Sequence, residues 1–334
     1  MTEVIPGIRQ LKLPLPEKDI LLGYVNVYLV QGNNGYLLID TGWNTEEAFN
    51  SFNKQLTEIG ISAEDIAQIL ITHVHPDHYG LAGRLKHLSH AQLYLHETER
   101  DTIKPRYMDM DSLLQQMGQR LHTNGVPPDD LPILQTASVR MAKFVAPALP
   151  DVTLYGDETI STGLFTFKVL LMPGHSPGHI CLYEPDKKVL ISGDHILPTI
   201  TPNIGLHPLS GDNPLGDYFN SLNAAKQLDA ELILPGHENP FIGLRPRIEE
   251  LIQHHKQRES KILETLQTEQ KTAYQISNEI TWMSDTNGVS WQTLTPLHKR
   301  LAILETLAHL ESMRFGGEVD KFAQDNTIYY QSAQ

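Results

Sequence analysis

Directly after the apolar run Ile66 to Thr72 (IAQILIT), the chain places His73-Val74-His75-Pro76-Asp77-His78. Three imidazoles and a carboxylate within six residues cannot pack into an apolar layer at the end of a strand. They must meet either water or a cation. Neutral imidazole and carboxylate are the ligands that borderline metals such as Zn²⁺ favour, and a solvated His-rich loop is the competing reading. Three later segments repeat the pattern and reduce the weight of that alternative. Pro173-Gly174-His175-Ser176-Pro177-Gly178-His179 follows the strand-like stretch Leu164 to Met172. Ser192-Gly193-Asp194-His195 follows Val189 to Ile191, and Leu234-Pro235-Gly236-His237-Glu238 follows another short apolar run. Four predicted strands thus end in Gly or Pro turns carrying His or Asp, which is how loops at one sheet edge converge on a site.

The ordered set HxHxDH, GH, GD, GH resembles the metallo-β-lactamase superfamily of hydrolases from about residue 20 to 245. The resemblance implies an α/β fold, an αββα sandwich with its metals at one edge. It also implies two divalent metal ions, zinc by default, with iron or manganese compatible with the same N and O ligands. His73, His75 and His175 would hold one ion, Asp77, His78 and His237 the other, and Asp194 would bridge them. A water shared by two such ions loses a proton near neutral pH, so neither a serine nor a cysteine nucleophile is needed. Asp77, Asp194 and His195 are the expected catalytic residues: Asp77 orients the water, and His195, or alternatively Tyr79, serves as a supporting group or proton donor. His179 is expected to be a buried histidine that ties its turn together.

Elsewhere the pattern is that of short strands, then strand–helix units. Tyr24 to Gln31 and Tyr36 to Asp40 flank Gly32-Asn33-Asn34-Gly35, a hairpin signal. Asn44 and Glu47 have capping-box spacing ahead of a helix carrying Phe49, Phe52, Leu56 and Ile59 on one face. Residues 97–148 read as a helical insert within a hydrolase domain spanning 1–245. Residues 246–334 read as a separate small domain: a long helix, a short one capped by Thr272 and Gln275, and a third starting at Pro296 with Leu297, Leu301, Leu304 and Ala308 as its apolar face. Two glycines and a TIYY segment then suggest a β-wing. This part resembles the winged-helix domain attached to some lactamase-like proteins, through His255, Arg258, Glu259, Ile262 and Leu263 and through Ala308-His309-Leu310.

Charge restricts the partners. The chain carries 40 acidic and 26 basic residues, a net −14 with histidine neutral, and residues 247–334 carry nine basic against twelve acidic residues, a net −3. Such a field disfavours phosphate backbones, so nucleic acid is not the expected partner. A small-molecule substrate is, and the C-terminal segment is expected to pack against the hydrolase domain, to form a homodimer or to close the pocket. The single Cys181 excludes an intramolecular disulfide and fits a reducing compartment. With no leader-like or membrane-spanning apolar run, the expectation is a cytoplasmic protein. The leading function is cleavage of a small thioester, lactone or amide. PGHSPGH, SGD and GHE are similar to glyoxalase II, the hydroxyacylglutathione thioesterase, although its basic glutathione-binding pattern is not found. Lactonases that cleave acyl-homoserine lactones have Tyr where Leu197 stands here. The alternatives are phosphodiester cleavage of the lactamase-like endoribonuclease type and mononuclear-iron persulfide oxidation. The full set of seven ligands favours two metals over the latter.

Overall fold

The computed structural model describes residues 1–16, 23–282 and 288–333. The chain opens as an antiparallel meander, β1 (Thr2–Ile5), β2 (Ile8–Pro14), β3 (Tyr24–Gly32) and β4 (Gly35–Ile39). It then turns to parallel strand–helix units: α1 (Glu46–Thr57), β5 (Ile66–Leu70), α2 (Pro76–Tyr79), α3 (Ala82–Ser89) and β6 (Gln92–His96). The insert follows as α4 (Glu97–Tyr107), α5 (Asp111–Thr123), α6 (Leu131–Gln135) and a 3₁₀ segment at Val139–Phe144, before β7 (Val152–Leu154) completes a seven-stranded sheet in the order β1 to β7. The second sheet comprises β8 (Thr159–Ser161), β9 (Thr166–Leu171), β10 (Ile180–Glu184), β11 (Val189–Gly193) and, after α7 (Pro214–Ala225), β12 (Leu232–Pro235). Its order is β12-β11-β10-β9-β8, with only β11 and β12 parallel. The chain ends with α8 (Leu244–Thr265), α9 (Ala273–Glu279), α10 (Pro296–Phe315) and the hairpin β13 (Val319–Gln324) and β14 (Thr327–Ser332).

Strand alternation builds the layers, because successive side chains point to opposite faces. In β3, Val25, Val27 and Leu29 pack outward against Phe52 and Leu56 of α1, while Tyr28 and Val30 face the second sheet. There they meet Phe167 and Val169 of β9 and Ile180 and Leu182 of β10. Cys181 and Tyr183, the alternate residues of β10, join the outer core containing α7, α8 and α10. The expected αββα sandwich follows from this alternation.

Two local expectations change. The N-cap of α1 is Thr45, whose side chain accepts from the Ala48 N–H at 3.1 Å, so the Asn44 spacing is one residue out of phase. Helix α10 is not a one-faced amphipathic helix. Ala302, Ile303, Leu304, Leu307, Ala308, Leu310 and Met313 are all buried, as befits a helix packed on nearly every side. It touches α7, α8, α9, α6 and β13, and one continuous apolar core joins the C-terminal helices to the insert and to the second sheet. Arg300, one of the few residues available for a basic recognition face, is buried there at 6% exposure. Among the described residues no helix is long and apolar enough to cross a membrane.

Candidate metal centre and its cavity

The strands that end at one edge deliver the site. His73 to His78 follow β5, the His175 turn follows β9, Asp194 follows β11 and His237 follows β12. The two sheets are stitched together at this edge. Ile180 N–H donates to Thr72 O at 3.0 Å, Asn26 N–H to Gly236 O at 2.7 Å, and the Tyr28 hydroxyl to Pro235 O at 2.8 Å. Gly236 is required by close approach, since a Cβ there would run into Asp194 Oδ1 and lie 2.7 Å from His78 Cε1. Gly193 has φ +50°, and a Cβ on it would press on His179 Nε2 at 2.8 Å.

All seven residues expected to bind metal come together, in two groups. In the first, His75 Nδ1 lies 2.9 Å from His73 Nε2 and 3.0 Å from His175 Nε2. In the second, His237 Nε2 is 3.2 Å from Asp77 Oδ2 and 3.4 Å from Asp194 Oδ2, and His78 Nε2 is 3.3 Å from Asp194 Oδ1. Asp194 stands between the groups, because its Oδ2 is also 3.7 Å from His175 Nε2. Each group has its ligand atoms within 4.8 Å of one another.

The donor chemistry suits a divalent cation. Three imidazole nitrogens pointing at a common place leave at least one lone pair facing another, and His78 Nε2 and Asp194 Oδ1 are buried without a conventional hydrogen-bond partner. The remaining ring nitrogens are held from behind. His73 Nδ1 meets Thr72 Oγ1 at 3.1 Å, His78 Nδ1 meets Asp40 Oδ2 at 2.8 Å, His175 Nδ1 meets Asn203 O at 2.9 Å and His237 Nδ1 meets Tyr24 O at 3.2 Å. Outer partners of this kind fix ring orientation in metal sites. Burial and the neighbouring imidazoles push His73 and His75 well below the usual histidine range, which keeps them neutral. Burial also lowers His237, but Asp194 and Asp77 together outweigh it and raise that group to about 10.

Several supporting residues escaped the sequence reading. Asp40 sits at φ +61° at the end of β4, accepts from Thr72 N–H at 2.8 Å and from the Thr72 hydroxyl, and holds His78. Its only sequence signal is a carboxylate closing an apolar strand. Glu99, 1% exposed in the insert, accepts from Val74 N–H and Gly178 N–H, both at 2.9 Å, and so clamps two ligand loops together. Glu238 pins the loop after Asp194 by accepting from Thr199 N–H at 3.0 Å. His179, by contrast, was read from the sequence as a buried histidine, and it is fully buried and accepts the Asp194 N–H at 3.2 Å.

Two expected helpers lie elsewhere. Tyr79 is buried against the insert, its hydroxyl exchanging hydrogen bonds with Ala148 O at 2.5 Å and Ala148 N at 2.6 Å, and burial lifts it to about 12. His195 is fully buried with its ring edge-on to Tyr218 at 5.0 Å, and it does not line the cavity. That cavity, of about 650 Å³, opens on His75, Asp77, His175, Asp194 and His237. Its other walls come from the insert, from the loop carrying Asn203 and His207, and from α10.

Comparison with known proteins agrees with this geometry. The family model of the metallo-beta-lactamase superfamily matches residues 20–237. "Probable metallo-hydrolase YqjP" of Bacillus subtilis (strain 168) is 26% identical over 99% of this chain and 98% of its own length. The crystal structure of a metallo-beta-lactamase family protein from Thermus thermophilus, TTHA1429, superposes with a TM-score of 0.83 at 30% identity, covering 99% of this chain and 100% of that one. The human "Acyl-coenzyme A thioesterase MBLAC2" is 28% identical over 65% of this chain and 74% of its own. Because the match takes in every strand end that carries a candidate ligand, the convergence at the sheet edge is the shared design of a family, and this chain belongs to the metallo-β-lactamase superfamily.

Proposed function

We propose that the chain hydrolyses a small ester-like bond, a thioester, lactone or amide, with two divalent ions, zinc by default. His73, His75 and His175 would hold one ion and Asp77, His78 and His237 the other, with Asp194 shared. The observation that carries this reading is the set of three imidazole nitrogens turned on one another at 2.9 and 3.0 Å beside a second His and Asp group, both opening on one cavity. Ions bound there would supply Lewis acidity toward the substrate's carbonyl oxygen and a water acidic enough to attack near neutral pH. Asp77, the more open of the two carboxylates, faces the cavity and would accept a hydrogen bond from that water. Asp194 keeps the two ligand groups at fixed separation. His195 acts from behind as a positioning residue: its carbonyl accepts from the Tyr218 hydroxyl at 2.9 Å, which anchors the turn after Asp194.

The relative named as an acyl-coenzyme A thioesterase favours a thioester among the three bonds. We further propose that residues 246–334, with three helices and a hairpin, form a winged-helix-like module that walls the cavity instead of reading DNA. The test is a panel of p-nitrophenyl ester, thioester, lactone and bis-p-nitrophenyl phosphate substrates with the metal-loaded chain. Turnover of a carbonyl substrate above the phosphodiester supports the reading, and exclusive cleavage of the phosphodiester overturns it.

A further inference from the structure

We propose that the cavity holds an oxyanion subsite made by Arg106 of α4 and Arg300 of α10, so that the substrate carries a carboxylate or phosphate on an otherwise apolar body. The inference deepens the hydrolase reading above and rests on it. Both side chains line the same cavity as the candidate metal ligands. Arg300 is 6% exposed. Its Nη1 reaches the carbonyls of Leu134 and Gln135 only at 3.5 and 3.3 Å, and its buried Nε has no partner among the described residues. The buried Nε of Arg106 has none either.

The chain carries a net charge of −14, so carboxylates are in excess. Arg9, Arg84, Arg100, Arg247 and Arg314 each pair with a carboxylate at 3.1 Å or less. Arg120, Arg245 and Arg258 donate instead to backbone carbonyls at 3.0 to 3.2 Å, whereas Arg106 and Arg300 are the arginines that leave a buried Nε unpartnered among the described residues. Glu305, the acid of the wall outside the candidate ligand set, is engaged by the Asn203 side chain at 2.8 Å. Burial, and then the charge of Arg106, bring Arg300 down to about 10, so the two guanidiniums share one electrostatic neighbourhood. His207, which also lines the cavity, is kept neutral by burial and then by Arg106 and other cations.

A buried guanidinium without a counter-charge is expensive to maintain. Arg300 is such a group, and Arg106, half-buried with a buried Nε, lines the same cavity; both are stabilised when an anion enters, and the planar guanidinium fork matches carboxylate and phosphate oxygens. Around them the wall is apolar, with Met110, Leu113, Leu114, Met141, Leu297 and Leu301. A neutral substrate would leave both cations unanswered, and a fully polar one would forgo the rest of the wall.

The experiment compares the mono-p-nitrophenyl esters of succinic, adipic and suberic acids with p-nitrophenyl butanoate, hexanoate and octanoate on the metal-loaded full chain. At one chain length or more, the acid-ended ester should be preferred by about tenfold or more in kcat/KM, as expected for a charge-assisted hydrogen bond. Arg106→Gln and Arg300→Gln should each reduce that preference by a similar factor. Arg106 is the less buried position and guards against a folding failure at Arg300. Inhibition by octanoate and by octyl phosphate, compared between wild type and the variants, tells which oxyanion is read. Equal turnover of both ester series, with the preference unmoved in the variants, overturns the subsite and leaves the hydrolase reading standing. If none of these esters is cleaved, the hydrolase reading is judged by the thioester, lactone and phosphodiester substrates of the panel above. Calorimetric binding of octanoate and octyl phosphate then judges the subsite alone: weaker binding in the variants supports it, and unchanged binding overturns it.

Discussion

Which ring nitrogen each histidine turns inward decides the site at the scale of the residue. His73, His78, His175 and His237 spend Nδ1 on Thr72, Asp40, Asn203 and Tyr24 and present Nε2, whereas His75 presents Nδ1. Removing an outer partner should therefore loosen metal without removing a ligand. Asp40→Ala is expected to weaken metal affinity by about 10–100-fold in a chelator competition while the chain stays folded. Asp194→Ala should be among the most damaging single changes, emptying the site and abolishing turnover, because both ligand groups lean on that carboxylate. His179→Ala, which loses only the acceptor for the Asp194 N–H, should act mainly on stability in thermal unfolding. The candidate ligands were legible because each sits in a short motif whose residue types have no other use at a strand end. Asp40 and Glu99 were not, since their roles arise from partners distant in sequence: Glu99 meets residues 74 and 178 only once the sandwich has closed.

Elements show the same division. Strands β3 and β10 could be read from composition and turns, because a buried strand between Gly, Pro or Asp breakers has few alternatives. The N-cap of α1 slipped by one residue, since Asn44 and Thr45 are both good caps and only the path of the chain chooses between them. Helix α10 was misread for a larger reason. A stripe through Leu297, Leu301, Leu304 and Ala308 exists, but Ile303, Leu307 and Leu310 on other faces are buried too, and packing partners from α6, α7 and α8 lie outside any local window. Part of the stripe, Leu297 and Leu301, lines the cavity. Since Leu307 is 1% exposed in this central helix, Leu307→Ala should cost about 2–5 kcal/mol in urea unfolding, the range of buried leucine truncations. A cost below about 1 kcal/mol would mean that α10 is not held in the shared core.

For the whole molecule, one consequence of that shared core is that the C-terminal segment is part of the enzyme's wall. Helix α8 begins at Leu244, and its Leu244, Ile248 and Leu251 pack with α7 and the second sheet. Truncation after Arg245 should give insoluble or poorly active protein, checked by solubility and turnover against the full chain. Duplex DNA should bind weakly and without sequence preference in a shift assay at physiological salt, because Arg300 is buried and residues 247–334 carry net −3. The layered fold and its sheet-edge site were readable as a family resemblance. The depth of the C-terminal contact was not, because it is made by apolar residues without a motif. Whether the chain is a two-metal hydrolase is decided by elemental analysis of the folded chain alongside turnover of its best carbonyl substrate. Close to two divalent ions per chain are expected in the wild type, with metal content and activity falling together in His73→Ala. Carefully prepared, folded wild-type protein that contains no metal and gains neither metal nor activity on exposure to zinc, iron or manganese would contradict the two-metal reading.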